Sequence, residues 1–462
     1  MLLRWACSPD KAPKTGQRQP SAKPSNGSGR YVEPIFRTGW PVRMTPHTDS
    51  PLGTLRLALT VVFPFALGYF VSYIYRTVSA VLAPYLIADV GLSASDLGLL
   101  TSAYFLAFAI FQLPVGMLLD RYGPRRVQAT VLLVAAAGAA LFSVGDGLLS
   151  LSLARALIGI GVASGLMAAF KAVTLWFPQR LWPVMNGIVL AAGGVGAMTS
   201  TKPVELALGF TDWRTIFLGL ALFTLAFAAF LILVVPEKPQ AAKPTSLADQ
   251  ARGFRLIFSD RLFWTVAPLT AIVSGTGLGL AGLWAGPWLG DVGGHDRGTV
   301  ATYLFAVTAM LTVGSLSTGF IANIVGRRGI SLVQVMGAGF VIYLGGQLAI
   351  VFAVDPTALW PWLIFGYFIH ICLLSYPYLA AHFPREYAGR SNTALNVLAF
   401  FTAFGVQYFV GAVLDRFPPK AGGGYAVEGY TTAFGILAAL QVAAFVWFLY
   451  GLATRPKRLS PR

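Results

Sequence analysis

The sequence predicts an all-α integral membrane protein with twelve transmembrane helices in two six-helix bundles related by pseudo-twofold symmetry. Three observations predict this fold: an apolar composition, apolar runs of spanning length between short polar loops, and a motif that occurs in both halves. Of the 462 residues, 56% are hydrophobic and 11% are charged. A soluble domain usually has about 25% charged residues, so much of this protein's surface is expected to face lipid.

Apolar runs of spanning length begin at Leu57 and continue almost to the end of the chain. A helix needs about 20 residues to cross the hydrocarbon core, and each span must be helical because lipid satisfies no exposed backbone group. The predicted spans are 57–87, 95–119, 126–145, 149–176, 182–208, 214–235, 262–289, 298–323, 329–353, 358–383, 390–415 and 429–452.

The spans define the domain organisation. Residues 56–235 are expected to form the first six-helix bundle, and residues 262–452 the second. The parts outside the bundles are polar: a tail at 1–55, a cytoplasmic linker at 236–261 and a basic tail at 453–462. The first tail is rich in Pro, Ser, Gly and basic residues, which predicts disorder. It has no apolar core typical of a signal peptide, and Met44 is a better translation start than Met1.

Charge distribution predicts the orientation. The net charge of +16 comes from basic residues in the tails and in alternate loops. This pattern is typical of cytoplasmic loops rather than of nucleic-acid binding. Both termini are therefore predicted to be cytoplasmic, in a multi-pass protein of the inner membrane. The basic loop residues include Arg121, Arg125, Arg126, Arg180, Arg327, Arg328, Arg385 and Arg390, whereas Asp89, Asp96, Asp146, Asp291 and Asp355 lie in the opposite loops.

A motif is repeated in the two halves. GMLLDRYGPRR begins at Gly116, GFIANIVGRRG begins at Gly319, and each lies at the end of the second span of its half. Four positions match: Gly116, Asp120, Gly123 and Arg125 correspond to Gly319, Asn323, Gly326 and Arg328. Two parallel repeats of about six spans are an architecture of secondary transporters.

The repeated motif resembles the loop signature of the major facilitator superfamily, G-x-x-x-D-R-x-G-R-R, with Pro124 where the family often has Arg or Lys. Arg155, followed by Gly159 and Gly161, is similar to the family's arginine motif in the fourth helix. The resemblance covers residues 56–452. It implies a gate in which Asp120 braces the loop against a helix end of the other half, with a weaker second copy because Asn323 lacks the carboxylate. The gating residues that it implies are Gly116, Asp120, Arg121, Gly123, Arg125, Arg126, Arg155, Gly319, Asn323, Gly326 and Arg328. For Arg126, topogenic charge alone is the alternative.

Within that superfamily, the first span is similar to the organic anion:phosphate antiporter group. The similar residues are Tyr73-Ile74-Tyr75-Arg76 and Ala83-Pro84-Tyr85-Leu86. The group has an anion-binding arginine at this point of its first helix. Its second arginine would fall near Gly282, where this chain has no basic residue, so the resemblance does not extend to strict phosphate exchange.

The residues themselves favour an anion site at Arg76. A charge near the middle of a span costs roughly 2.5–3.5 kcal/mol on insertion scales, and no acidic partner occurs at matching depth. Tyr69 and Tyr73 share its helical face, and hydroxyls beside a guanidinium suit a carboxylate or phosphate. Lys171, one turn inside the fourth span, is a second candidate, with snorkelling to the headgroups as its alternative. Arg155 is expected to bond carbonyls of a neighbouring helix.

The second half offers neutral candidates. His370 lies in the middle of the tenth span, and Asn396 and Gln407 share one face of the eleventh, where helix–helix contact is the alternative role. Trp284 could stack on an organic ligand, and His370 or Lys171 is the candidate for proton coupling.

The sequence therefore predicts a secondary transporter for a small organic anion, with a proton or counter-anion as coupling partner, working as a monomer without cofactor or metal. No zinc spacing, nucleophile elbow or phosphate loop indicates an enzyme. The alternatives are an inorganic-anion transporter of the nitrate type, an efflux pump for another small molecule, and a non-transporting membrane receptor. The absence of a carboxylate from the middle of every span argues against export of cations.

Overall fold

The structure is a computed structural model that describes residues 51–238, 247–420 and 423–454, and this part of the chain contains helices and connecting loops but no strand. The helices are α1 (Gly53–Thr77), α2 (Ser79–Val90), α3 (Ala94–Val144), α4 (Leu148–Trp176), α5 (Gln179–Leu208), α6 (Trp213–Val234), α7 (Leu247–Phe258), α8 (Arg261–Asp291), α9 (Arg297–Gly326), α10 (Leu332–Val351), α11 (Trp360–His382), α12 (Glu386–Leu414) and α13 (Val427–Ala453).

The described chain contains eleven helices that are long and apolar enough to cross a membrane. One of them, α3, has 51 residues and bends at Gly123, whose φ of 82° and ψ of 160° are not helical. Glycine adopts this backbone conformation without steric penalty. Because α3 thereby contains two of the predicted spans, the eleven helices account for all twelve, and the all-α membrane fold predicted from the sequence is confirmed.

The structure describes the expected tails and linker only in part. Most of the expected N-terminal tail, the residues 239–246 of the linker and the last eight residues lie outside the described residues. The first helix, α1, begins at Gly53, inside the expected tail. The linker also contains α7, an amphipathic helix where the sequence predicted only a polar stretch. The helical segment reduces the length of irregular chain between the bundles.

The two halves meet at one end of the helices. We call this the acidic end, because the loops there contain Asp89, Asp146, Asp291 and Asp355; the basic end contains the loops with Arg125, Arg180 and Arg328. Hydrogen bonds join the halves at the acidic end, where Asp415 accepts from the backbone of Ala94 and Lys202 donates to the carbonyl of Gly298.

Four spanning segments of the described chain are interrupted near their middle. α4 has a turn at Ala163 and Ser164, between helical stretches that end at Val162 and begin at Gly165. α1 and α2 meet at Val78, one residue after α1 ends. α8 contains a π-helical turn at Leu280–Trp284. α11 loses its α-helical form after Phe368 and continues as a 3₁₀ turn from Ile371. Irregular backbone at this depth is tolerated where it is buried in protein or lines a cavity, so these interruptions mark the centre of the molecule as the place to look for a site.

Candidate functional site: a caged arginine between the halves

Arg76 lies in the last turn of α1, just before the break at Val78. Its side chain is 6% exposed, and its Nε atom has no hydrogen-bond partner. Within the described residues, no carboxylate forms an ion pair with it. Three aromatic rings face its guanidinium instead, with centroids 4.6 Å (Tyr73), 5.2 Å (Phe108) and 5.1 Å (Phe400) from Cζ. Aromatic faces attract a cation but supply no counter-charge, so Arg76 remains available to an anion.

The cage is built from both halves of the protein. Phe108 belongs to α3 and Phe400 to α12, and their ring centroids are 4.2 Å apart. Sequence reasoning missed both residues. Phe400 could have been found, because it lies four residues after Asn396 and therefore on the same helical face. The contact between the rings could not, because it depends on how the halves pack.

The two tyrosines of the first span lie together with Arg76, as their spacing predicts. The rings of Tyr69 and Tyr73 meet edge to face with centroids 5.0 Å apart. A methyl group on Gly193 of α5 would lie 2.5 Å from the Tyr69 ring, so the glycine allows this ring to pack against α5. This packing fixes the face of α1 that presents Arg76.

The second half contributes Gln407 and Trp284 on the side of Gly282. Gln407 is 1% exposed and its Oε1 atom has no partner, while its backbone carbonyl accepts a hydrogen bond from Trp284 Nε1 at 3.0 Å. A Cβ on Gly282 would lie 3.5 Å from both the Arg76 carbonyl oxygen and Gln407 Nε2. Gln407 therefore lies near the backbone of Arg76, and Trp284 is fully buried.

His370 and Asn396 have hydrogen-bond partners within the second half. His370 lies at the break of α11, and its Nδ1 atom is 2.6 Å from Ser315 Oγ of α9. Asn396 Oδ1 accepts a hydrogen bond from Tyr376 at 3.4 Å. Both side chains are positioned by neighbouring helices of their own bundle, and Ser315 and Tyr376 were not singled out from the sequence.

Lys171 lies with the gating residues rather than beside Arg76. Its Nζ atom is 2.5 Å from Asp120 Oδ1 at the basic end. The part of α4 nearest the tyrosines is Gly165, which approaches Tyr69 and Ser72. Six helical residues, about 9 Å, separate Gly165 from Lys171. The sequence-based assignment of Lys171 to the substrate is therefore not supported by this arrangement, because a carboxylate already neutralises its charge.

Asp120, Arg125 and Arg126 contact α4, α6 and the start of the linker. The predicted brace against a helix end of the other half is absent among the described contacts of Asp120, because its carboxylate binds Lys171. Arg125 donates to the carbonyl of Ile232 at 2.6 Å, and Arg126 forms an ion pair with Glu237. The motif thus ties α3 to the end of α6 in this conformation.

Of the other predicted gating residues, Arg155 is buried, whereas the residues of the second motif copy are exposed. Arg155 is 2% exposed and donates to the carbonyl of Tyr75 at 2.9 Å and to the hydroxyl of Ser79. This is the backbone contact that its position predicts. Of the second motif copy, Gly319, Asn323 and Gly326 line a cleft of about 520 Å³ at the basic end.

These features define a class: a polytopic membrane protein with two helical halves, joined at the acidic end, around a buried cation with which no carboxylate of the described residues forms an ion pair. The chain belongs to the Major Facilitator Superfamily, whose family model matches residues 65–406. It is therefore a transporter of this superfamily.

Similar proteins agree with this assignment. A probable sulfoacetate transporter of Cupriavidus necator is 25% identical over 404 residues, which are 81% of this chain and 91% of that protein. A hexuronate transporter of Escherichia coli K12 is 22% identical over 413 residues, 82% of this chain and 91% of that protein. A bacterial homologue of the human lysosomal transporter Spinster, in an inward-facing and occupied conformation, superposes with a TM-score of 0.71 at 20% identity, covering 87% of this chain and 98% of that structure. The last comparison supports the fold.

Proposed function

We propose that this protein is a secondary active transporter that moves a small organic anion across the inner membrane by alternating access. Arg76 binds the anionic group, and Tyr69, Tyr73 and Gln407 contact the rest of the substrate. Residues 56–235 and 262–452 are the two bodies that move against each other around this site. His370 is the candidate for proton coupling, and exchange against a second anion is the other way to drive the cycle.

One observation carries the proposal: Arg76 is buried at the centre of the membrane domain, and no carboxylate among the residues that the structure describes pairs with it. A buried charge without a partner is expensive, and ionisable residues at this depth usually mark a substrate path. An anion bound beside Arg76 would supply both the missing charge and an acceptor for the unpartnered Nε atom. Guanidinium groups bind carboxylates and related anions with paired hydrogen bonds.

The similar proteins narrow the substrate class. Sulfoacetate and hexuronates, named for two relatives that match over most of their length, are small organic anions with a carboxylate. The cage around Arg76 contains neutral rings and hydroxyls, and the unpartnered Oε1 atom of Gln407 is an acceptor for a substrate hydroxyl. A short carboxylate with hydroxyl groups fits these donors and acceptors.

Ligand-induced thermal stabilisation tests the proposal. The purified protein is heated with a panel of hexuronates, sulfoacetate, tartrate, nitrate, phosphate esters and organic cations, because a ligand that binds the native state raises its apparent stability by mass action. Stabilisation by carboxylates that is lost in Arg76→Ala and partly kept in Arg76→Lys is expected. Arg416→Ala, which removes an exposed arginine at the acidic end, is the matched control.

Each of the other outcomes would assign a different function to the protein. Stabilisation by nitrate alone would make this an inorganic-anion transporter. Stabilisation by cations or neutral compounds that is unchanged in Arg76→Ala would make Arg76 a structural residue and reject the anion site. Uptake of the stabilising anion into proteoliposomes then separates a transporter from a receptor.

A further inference from the structure

Asp415, at the end of α12 in the second half, binds the first turn of α3 in the first half. Its Oδ1 atom accepts a hydrogen bond from the backbone N–H of Ala94 and its Oδ2 atom accepts one from Ser95, both at 2.9 Å. The other two N–H groups of this turn are satisfied locally, since the Asp96 N–H donates to the Ser93 hydroxyl and the Ser93 N–H donates to the Asp96 carboxylate. The first turn of a helix leaves four such groups without intrahelical partners, so the other half of the protein supplies acceptors for two of them.

The position of Asp415 is unfavourable within its own helix. It follows Leu414 at the C-terminal end of α12, where the helix dipole repels an anion. The N-terminus of α3 attracts an anion by the same physics. The carboxylate is therefore stabilised at this point only while the two halves are in contact.

The backbones of α3 and α12 approach very closely beside this contact. A Cβ atom on Gly98 would lie 2.5 Å from the Gln407 carbonyl oxygen, and one on Gly411 would lie 2.2 Å from the Ala94 carbonyl oxygen. Farther along, the Phe105 and Phe400 ring centroids are 5.8 Å apart. The three contacts follow one antiparallel register, so they form a continuous seam from Asp415 to the cage of Arg76.

The seam also has a signature in the sequence. Gly411–Phe417 reads GAVLDRF, which repeats the pattern of GMLLDRY at Gly116–Tyr122. Asp120 lies just before the bend of α3 at Gly123, at the basic end, and Asp415 follows the last residue of α12, at the acidic end. The two aspartates therefore lie at equivalent ends of antiparallel helical segments. In this conformation Asp415 binds the other half, whereas Asp120 binds Lys171 of its own half.

We propose that Asp415 is the gating residue of the acidic end, and that its release from Ala94 and Ser95 accompanies opening of that end. The inference rests on alternating access as the mode of transport. Asp415 at the end of α12 would then hold the acidic end closed, in the way that the family resemblance implies Asp120 holds the basic end closed. Closure at the acidic end then depends on a charged contact and a glycine seam, and both separate when the halves rotate.

Distance measurement by electron spin resonance tests this role of Asp415 without any substrate, so its result does not depend on whether the anion proposal holds. Spin labels are placed at Leu149→Cys and Val354→Cys, two exposed positions at the acidic end in opposite halves, after Cys7 and Cys372 are replaced. In lipid nanodiscs the parent is expected to show mainly the short distance. Asp415→Ala is expected to raise the ratio of long to short distances by roughly threefold to tenfold, the size of a lost helix cap.

Asp212→Ala is the matched control, because Asp212 accepts from the Thr215 N–H group in the first turn of α6, at the acidic end and inside one half. Its ratio should stay within about twofold of the parent. Gly98→Leu should open the acidic end as well, whereas Gly405→Leu, on a glycine with open space around it, should not. An Asp415→Ala ratio equal to that of the parent, or an equal rise in Asp212→Ala, would overturn the proposal.

Discussion

Lys171 Nζ lies 2.5 Å from Asp120 Oδ1, and this ion pair joins the fourth span to the end of the second span within one half. It binds the carboxylate of the gating motif at the basic end. The pair is partly exposed, with side-chain exposures of 25% for Lys171 and 40% for Asp120. The pair therefore holds Asp120 in one conformation without burying it, which suits a residue that must exchange partners.

Lys171→Gln is expected to leave anion affinity unchanged within about threefold, because the lysine is neutralised by Asp120 and is remote from Arg76. The loss of a partly exposed ion pair should lower the free energy of unfolding by less than about 1 kcal/mol. Titration of the stabilising anion by thermal shift measures the affinity. A tenfold or greater loss of affinity would return Lys171 to the substrate site.

The two buried arginines are expected to respond in opposite ways to truncation. Arg155→Ala removes hydrogen bonds to Tyr75 and Ser79 and leaves a cavity, so it should lower stability by about 3 kcal/mol. It should not change the response to the anion. Arg76→Ala removes an unpaired charge, so it should preserve or raise the stability of the free protein while abolishing the response. Melting temperatures with and without the anion distinguish the two patterns, and a common pattern would show that the arginines share one role.

The helices were predictable because spanning length and hydropathy are properties of consecutive residues. All twelve spans were located in this way, including the two that merge across Gly123. The arrangement of Arg76, Tyr69 and Tyr73 was also predictable, since they follow helical spacing on one element. The break at His370 was not, because it reflects packing of α11 against α9, which supplies Ser315.

Contacts between elements far apart in sequence were not predictable in the same way. Phe108 and Phe400 are ordinary apolar residues of spans, and they become cage residues only where α3 meets α12. In the sequence, Asp415 resembles an ordinary loop charge, because its contact with the N-terminus of α3 depends on how the two halves pack. Lys171 was a reasonable substrate ligand by depth alone, and its pairing with Asp120 required the packing of α4 against the end of the second span.

A pair of glycines on α8 gives a test of close packing between the halves. A methyl group on Gly286 would lie 2.2 Å from the Ala80 carbonyl oxygen of α2, which is backbone and cannot move aside easily. On Gly282 it would meet nothing closer than 3.5 Å. Gly286→Ala is therefore expected to weaken closure at the acidic end, whereas Gly282→Ala should be tolerated.

The spin-label distance across the acidic end measures this difference. The long-distance population should increase severalfold in Gly286→Ala and remain close to the parent in Gly282→Ala. Equal distance distributions in the two variants would mean that α8 and α2 do not need a close backbone approach to seal this end.

Acid stability should depend on Asp260, which precedes α8 at the basic end. Partial burial by itself would raise the pKa of the Asp260 carboxyl, but hydrogen bonds from His382 Nε2 and from the Phe263 N–H lower it below its ordinary value. A carboxyl whose pKa is depressed by folding stabilises the native state at pH values above its unfolded pKa of about 3.9. That contribution is lost as the pH falls through the lower, folded pKa.

Asp260→Asn removes the ionic contact with His382 but keeps a helix cap, since asparagine caps about as well as aspartate. The variant should therefore be less stable at pH 6 by about 0.5–1 kcal/mol, the value of a modest ion pair. The difference from the parent should shrink as the pH approaches 3.5, because the parent then loses the same contact. Melting curves at intervals between pH 6 and pH 3.5 measure the difference, and a gap that stays constant over this range would show that protonation of Asp260 does not contribute to acid stability.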